Sequence, residues 1–253
     1  MLSYQHIYHA GCLADVQKHS VLAVICEQMV RKDKPLYYME THAGRGIYDL
    51  KSVEAEKTGE AREGILAMRT KLPQAHPFTQ VLAKFPDNIY PGSPAVAHSI
   101  LRKTDRMFLT ELHPQEFTAL KNNMNYVNVF VQNDDGYTGV LAKSPPLVRR
   151  GLVMVDPSYE VKDEYLQAAK FVVELHKKWA EAVIILWYPI LRTGLHKDMC
   201  EILEKAKLPK FYRQEIIFPG KHADNTLGSG IIICNLPFGS ENGLEEIRSF
   251  FNK

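Results

Sequence analysis

Asp156, Pro157 and Tyr159 stand directly after Gly151-Leu152-Val153-Met154-Val155, an apolar, β-branched run. A run of that kind reads as a buried strand whose carboxyl end opens into a loop, where function usually sits. Asp156 can accept hydrogen bonds from an amino group. Pro157 has no N–H, and its fixed φ keeps the loop stiff with the carbonyl free. Tyr159 offers a flat face for a base. Two acceptors and a stacking ring are what the exocyclic amine of a flipped purine requires.

Other acids fall at the ends of predicted strands: Glu40, Glu111 and, after a short turn, Asp135. Any one of them alone is more often a helix cap or turn former. Together they mark the carboxyl edge of an open α/β sheet, where ligands bind near the switch in strand order. Thr41-His42-Ala43-Gly44-Arg45-Gly46 follows the first strand and lets backbone approach a ligand closely. It lacks the Gly-x-x-x-x-Gly-Lys-Ser/Thr pattern of a phosphate cradle. Glu40 and Glu111 are 71 positions apart, against roughly 20 for the acid of a dinucleotide site. A nucleoside without a pyrophosphate fits better: Glu111 for the ribose hydroxyls, and Asp135 with Gly136 for a purine amine. These are the demands of S-adenosylmethionine.

The elements that must position these groups alternate strand with helix. Strands are predicted at 36–40, 106–111, 127–132, 151–155, 182–187, 211–218 and 230–235. Helices are predicted at 15–31, 114–124, 164–180 and 196–206, the first with Val16, Val21, Val24, Ile25 and Met29 on one face. That alternation implies a parallel sheet with right-handed crossovers. The polar stretch Pro219–Ser229 leaves no room for a helix of normal length, so the sheet should end with an antiparallel strand. The interval after the first strand exceeds the roughly 30 residues of a βαβ unit. It therefore holds an insertion, residues 51–90, with a helix at 61–72. Residues 1–50 and 91–253 form the main domain.

The chain has 253 residues, 45% of them hydrophobic, and a net charge of +2, so any basic surface is local. Lys18, Lys34 and Arg45 are the candidates for phosphate contacts. Cys12, Cys26, Cys200 and Cys234 lack metal or disulfide spacing and read as reduced thiols of a cytoplasmic protein. No apolar run is long enough for a membrane. His6, His9, His19 and Asp15 lie close in sequence, but no Cys joins them and His-Glu-x-x-His is absent, so no metal is expected. Monomer is the default.

The stretch Asp156-Pro157-Ser158-Tyr159 resembles the Asp-Pro-Pro-Tyr motif of adenine N6-methyltransferases, with Ser158 in place of the second proline. A wider set of blocks is similar to the RlmJ-type large-subunit rRNA adenine N6-methyltransferases. They include His9-Ala10-Gly11, Ala14-Asp15-Val16, Lys18-His19, Lys32-Asp33-Lys34-Pro35 and Glu40-Thr41-His42-Ala43-Gly44. Further blocks are Tyr90-Pro91-Gly92-Ser93-Pro94, Thr110-Glu111-Leu112-His113-Pro114, Asp135-Gly136 and Leu186-Trp187-Tyr188-Pro189. The likeness spans most of the chain and is weakest at 51–86 and at the C-terminus. It implies a Rossmann-like, S-adenosylmethionine-dependent methyltransferase with a mostly parallel seven-stranded sheet and a small inserted subdomain. The implied partner is large-subunit rRNA, methylated on the N6 amine of one adenine. It further implies that His19, His42, Gly44, Ser93, Glu111, Asp135, Gly136 and Asp156 line the cofactor site. Asp156 is then the catalytic acceptor, while Tyr4, His6 and Lys18 face the RNA. Two other readings use the same motif: a DNA adenine N6-methyltransferase, or an inactive RNA-binding relative disabled by Ser158.

Overall fold

In the computed structural model, which describes residues 4–218 and 226–251, strand and helix alternate along most of the chain. The strands among the described residues are β1 (Tyr37–Glu40), β2 (Ile47–Asp49), β3 (Ile89–Pro91), β4 (Arg106–Thr110), β5 (Val129–Gln132), β6 (Gly151–Val155), β7 (Val183–Leu191), β8 (Tyr212–Ile217) and β9 (Thr226–Cys234). The helices are α1 (Leu13–Val30), α2 (Val53–Thr58), α3 (Glu60–Glu63), α4 (Ile65–Met68), α5 (Pro77–Leu82), α6 (Ser93–Ile100), α7 (Pro114–Asn123), α8 (Gly136–Lys143), α9 (Glu164–Lys178), α10 (His196–Lys205) and α11 (Glu241–Phe251).

Seven strands form one sheet in the order β5-β4-β1-β6-β7-β9-β8. The pairs β1·β4, β1·β6, β4·β5 and β6·β7 are parallel, and β9 runs antiparallel to both β7 and β8. The antiparallel strand is thus last in the chain but not at the edge, because β8 lies outside it. Residues 219–225, where the hairpin is expected, fall outside the described residues. The chain runs outward from β1 to β4 and β5, then returns to β6 on the other side of β1. The switch point therefore lies between β1 and β6, with Glu40 on one side and Asp156 on the other. Buried side chains form two apolar layers. One joins α1, α6 and α11 to the sheet, and the other joins α8, α9 and α10 to its opposite face.

Two sequence expectations change. Helix α1 is not apolar on one face only: Asp15, Gln17, Lys18, His19 and Ser20 are buried along with its valines and leucines. It is clasped between the sheet on one side and α5, α6 and α11 on the others, so nearly its whole circumference meets protein. The single helix expected at 61–72 is broken at Gly64 (φ −87°, ψ −119°). There the Gly11 carbonyl takes the N–H of Ile65 at 2.8 Å. A Cβ on Gly64 would lie 2.0 Å from that carbonyl. The inserted residues lie between β2 and β3, which pair with each other as a small separate sheet. Their Leu50, Ala55, Ala61, Ile65, Phe78 and Leu82 join the same apolar layer as α1.

Candidate active site

The carboxyl ends of β1, β4 and β6 deliver the acids to one edge. Asp156 leaves β6 with Oδ2 2.5 Å from the ammonium of Lys18. Lys18 is only 3% exposed and also meets Asp15 Oδ1 at 3.0 Å. Asp15 Oδ2 accepts from the Gly11 N–H at 2.9 Å and lies 2.9 Å from His6 Nε2. Tyr4 Oη is 2.8 Å from His6 Nδ1. A continuous polar chain thus runs Tyr4–His6–Asp15–Lys18–Asp156. Burial opposes the charge on both members of the central pair. The facing charges outweigh it: His6 and Lys18 hold Asp15 well below the usual carboxylate range, and Asp15 with Asp156 holds the Lys18 ammonium well above its ordinary value. Trp187 closes the floor, its ring 5.1 Å from Lys18 Nζ.

Among the described residues one Asp156 oxygen, Oδ2, is engaged. Among the described residues neither Oδ1 of Asp156 nor the Pro157 carbonyl meets a donor. The loop beyond them is held by Tyr159, whose φ of 56° lies in the left-handed region, a conformation costing a tyrosine about 1–2 kcal/mol. Its hydroxyl donates to the Trp187 carbonyl at 2.7 Å, and its ring packs 4.4 Å from that of Tyr165. The ring expected as an open platform is 93% covered by protein, so its first effect is to brace the loop. Ser158 Oγ reaches Glu164 Oε2 at 3.4 Å.

Beyond β1, Gly44 has φ +58° and sends its N–H to Glu111 Oε2 at 2.8 Å. Glu111 Oε1 takes the His113 N–H, also at 2.8 Å. Both carboxylate oxygens therefore keep a lone pair for further donors. Burial raises Glu111 above its usual value. Asp135 caps α8 through Oδ1, which accepts from the Thr138 N–H at 2.8 Å; Oδ2 has no protein partner among the described residues. Gly136 starts that helix against β1, where a Cβ would lie 1.8 Å from the Thr41 carbonyl. Gly136→Ala is therefore expected to push α8 off β1, costing about 1–3 kcal/mol or more. A lowered melting temperature together with weaker ligand binding checks this.

His42 lines the turn after β1, with Nδ1 2.7 Å from Thr41 Oγ1 and its ring edge-on to Tyr137 at 5.2 Å. Burial brings it down to about 4, so it is neutral at physiological pH. His19 is buried deeper, with Nδ1 2.7 Å from the Tyr90 hydroxyl, and burial brings it down to about 3. Ser93 opens α6 and donates to Glu40 Oε1, while Tyr38 donates to Oε2 at 2.9 Å.

Two expectations fall. Arg45 is not left for phosphate, because Glu116 holds its guanidinium in a two-pronged pair. The Lys18 charge is likewise committed to carboxylates. His9 lies 2.7 Å from Glu60, so the N-terminal histidines are divided among different partners. Among the described residues no group of three or more His, Cys, Asp or Glu side chains is placed to hold a metal ion. No described helix is long and apolar enough to cross a membrane. Glu116, Tyr90 and Tyr38 are not expected at the site from the sequence, whereas Trp187, at a strand end on the same rim as Asp156, reads there as core packing or as a wall of the adenine pocket. Among the three, only Tyr90 carries a signal, its place within the block Tyr90-Pro91-Gly92-Ser93-Pro94.

Residues 33–253 match the family described as Ribosomal RNA large subunit methyltransferase D, RlmJ. The chain belongs to this family. It is 38% identical over 263 residues to the Ribosomal RNA large subunit methyltransferase J of Haemophilus influenzae, covering 100% of this chain and 94% of the relative. The protein of the same name from Escherichia coli is 37% identical over 256 residues, with 98% and 91% covered. A crystal structure of a Legionella pneumophila protein superposes with a TM-score of 0.84 at 35% identity, covering 96% of this chain and 94% of that one. The protein is thus a methyltransferase of the RlmJ family, with the Rossmann-like fold expected of it. As such it needs a place for a methyl donor. The unspent acceptors on Glu111 and Asp135, and the close backbone at Gly44 and Gly136, suit a nucleoside carrying a ribose and a purine amine.

Proposed function

We propose that this RlmJ-family protein transfers a methyl group from S-adenosylmethionine to the N6 amine of an adenine in large-subunit ribosomal RNA. The observation that carries the reading is the pair of free acceptors at the switch point, Asp156 Oδ1 and the Pro157 carbonyl, set on a braced loop. Glu111 would hold the ribose hydroxyls, and Asp135 the purine amine, with His19, His42, Ser93 and Gly136 completing the wall. The donor, when bound, supplies an activated methyl. The chain supplies alignment.

An adenine amine is a poor nucleophile because its lone pair is delocalised into the ring. If Asp156 and Pro157 each accept one of its N–H bonds, the nitrogen can turn toward sp³ and aim that lone pair outward. Lys18 steadies Asp156 from behind, and the His6–Asp15 pair steadies Lys18. Rate then comes from orientation and preorganised charge. The base must first leave its stack, costing a few kcal/mol unless the RNA there is unpaired. Tyr4 and the inserted segment would be the contacts for the surrounding RNA.

Methyl incorporation from labelled donor separates the readings. Naked large-subunit rRNA is expected to be labelled and duplex DNA not; labelling of DNA alone would sink the RNA assignment. Restoring proline at position 158 is expected to leave turnover unchanged, because the group that receives the amine belongs to Pro157. Absence of any transfer from the wild type, with a gain on Ser158→Pro, would favour an inactive relative instead.

A further inference from the structure

Glu40 is a carboxyl with no exposed surface at the carboxyl end of β1, and among the described residues no cation pairs with it. Among the described residues its two oxygens are met only by hydroxyls, Ser93 on Oε1 and Tyr38 on Oε2. Every other carboxylate of the site has a lysine, a histidine or backbone N–H groups for company. The charged and titratable groups that face Glu40 are Lys18 and Cys26 from α1, Tyr38 from its own strand, and Asp156 past β6. Burial pushes it up to about 8, against the pull of the two hydroxyls. A buried acid that is mostly neutral at physiological pH, placed behind a ligand-facing serine, is an expensive arrangement unless it does something.

The two protonation states of Glu40 demand different orientations of the Ser93 and Tyr38 hydroxyls taken together. When Glu40 is ionised, both hydroxyls donate to it, and Ser93 turns only lone pairs toward the site. When Glu40 is neutral, one of its oxygens carries a proton and must itself donate, so one of the two hydroxyls has to reverse. The ionised arrangement suits a cation beside Ser93. We propose that Glu40 is a positioning residue for the methyl donor: through Ser93 it presents lone pairs to a cationic group of that ligand, and it releases its proton to solvent when the cation arrives. This rests on the reading that Ser93 lines the S-adenosylmethionine site.

Calorimetric titration of the whole protein with S-adenosylmethionine and with S-adenosylhomocysteine, in two buffers of different ionisation enthalpy, reads the proton directly. At neutral pH the wild type is expected to release close to one proton per site more than Glu40→Gln does. The variant serves as the baseline for the ligand's own amine. Wild-type affinity should rise between about pH 6 and about pH 8, by up to roughly tenfold per pH unit, and that of Glu40→Gln should stay flat. The ligand-free variant should also melt higher than the wild type, since it no longer buries an ionisable acid. Release with both ligands assigns the cation to the α-ammonium, and release with S-adenosylmethionine alone assigns it to the sulfonium; either supports the proposal. Identical proton counts in wild type and variant overturn it. A wild type that binds neither ligand defeats the cofactor reading, and this inference with it.

Discussion

Asp156→Ala is expected to lose methyl transfer by roughly 100- to 1,000-fold, the scale of deleting one preorganised polar group at a reacting centre. The same variant should still bind the methyl donor. In the proposed reaction Asp156 has two tasks at two oxygens: Oδ2 meets Lys18, and Oδ1, without a donor among the described residues, would take the amine. Removing the side chain takes away the acceptor for the amine but leaves Lys18 paired with Asp15 at 3.0 Å, so the buried ammonium is not stranded. Single-turnover rates on rRNA give the loss, and calorimetry with the donor shows that the fold survives. Turnover at the wild-type rate would remove Asp156 from the chemistry.

Lys18→Met is the more damaging change for the fold. It leaves Asp15 and Asp156 facing each other without the ammonium between them. Breaking a buried pair in this way costs about 3–5 kcal/mol. The pH dependence carries a sign that can be checked. Lys18 is held above its ordinary value, so its stabilisation is complete below 10.5 and is lost as pH rises through the folded value. Asp15 is held below its own, so its stabilisation is complete above 3.8 and is lost as pH falls through the folded value. Chemical denaturation of wild type and variant should therefore differ most between those two limits and converge outside them. A difference that stays constant with pH would mean that the lysine acts by packing alone. His6 and Tyr4 hang from the same chain of bonds, so the variant should also free the first described residues, read as faster amide exchange there.

The strands around the switch point were legible because each ends a short apolar run at an acid, and the pattern needs only local chemistry. Gly151–Val155 followed by Asp156 was visible for that reason. Helices α6 and α8 escaped: each is eight residues long and opens on the small residues of a functional turn, Ser93 or Gly136, so periodicity had too little to work on. The Lys18–Asp156 pair spans 138 positions, and nothing local in either residue announces the other. Lys18 read as a free cation because lysines usually are. Tyr159 read as a platform because its type suits one, whereas its burial is decided by Trp187 and Tyr165 arriving from β7 and α9. The upward shift of Glu40 comes from burial beneath elements distant in sequence, which no stretch of chain can reveal.

The way the inserted helices share their apolar side chains with α1 limits how far this enzyme can be miniaturised. β2 and β3 already sit side by side, so a short turn could bridge them and delete the residues between. Such a trimmed chain would uncover the flank of α1 that Ile65, Phe78 and Leu82 now shield. Stripping apolar cover of that kind invites self-association. The helix exposed would be the same one that carries Asp15, Lys18 and His19, so an abbreviated version should precipitate or lose its active centre rather than work as a compact core.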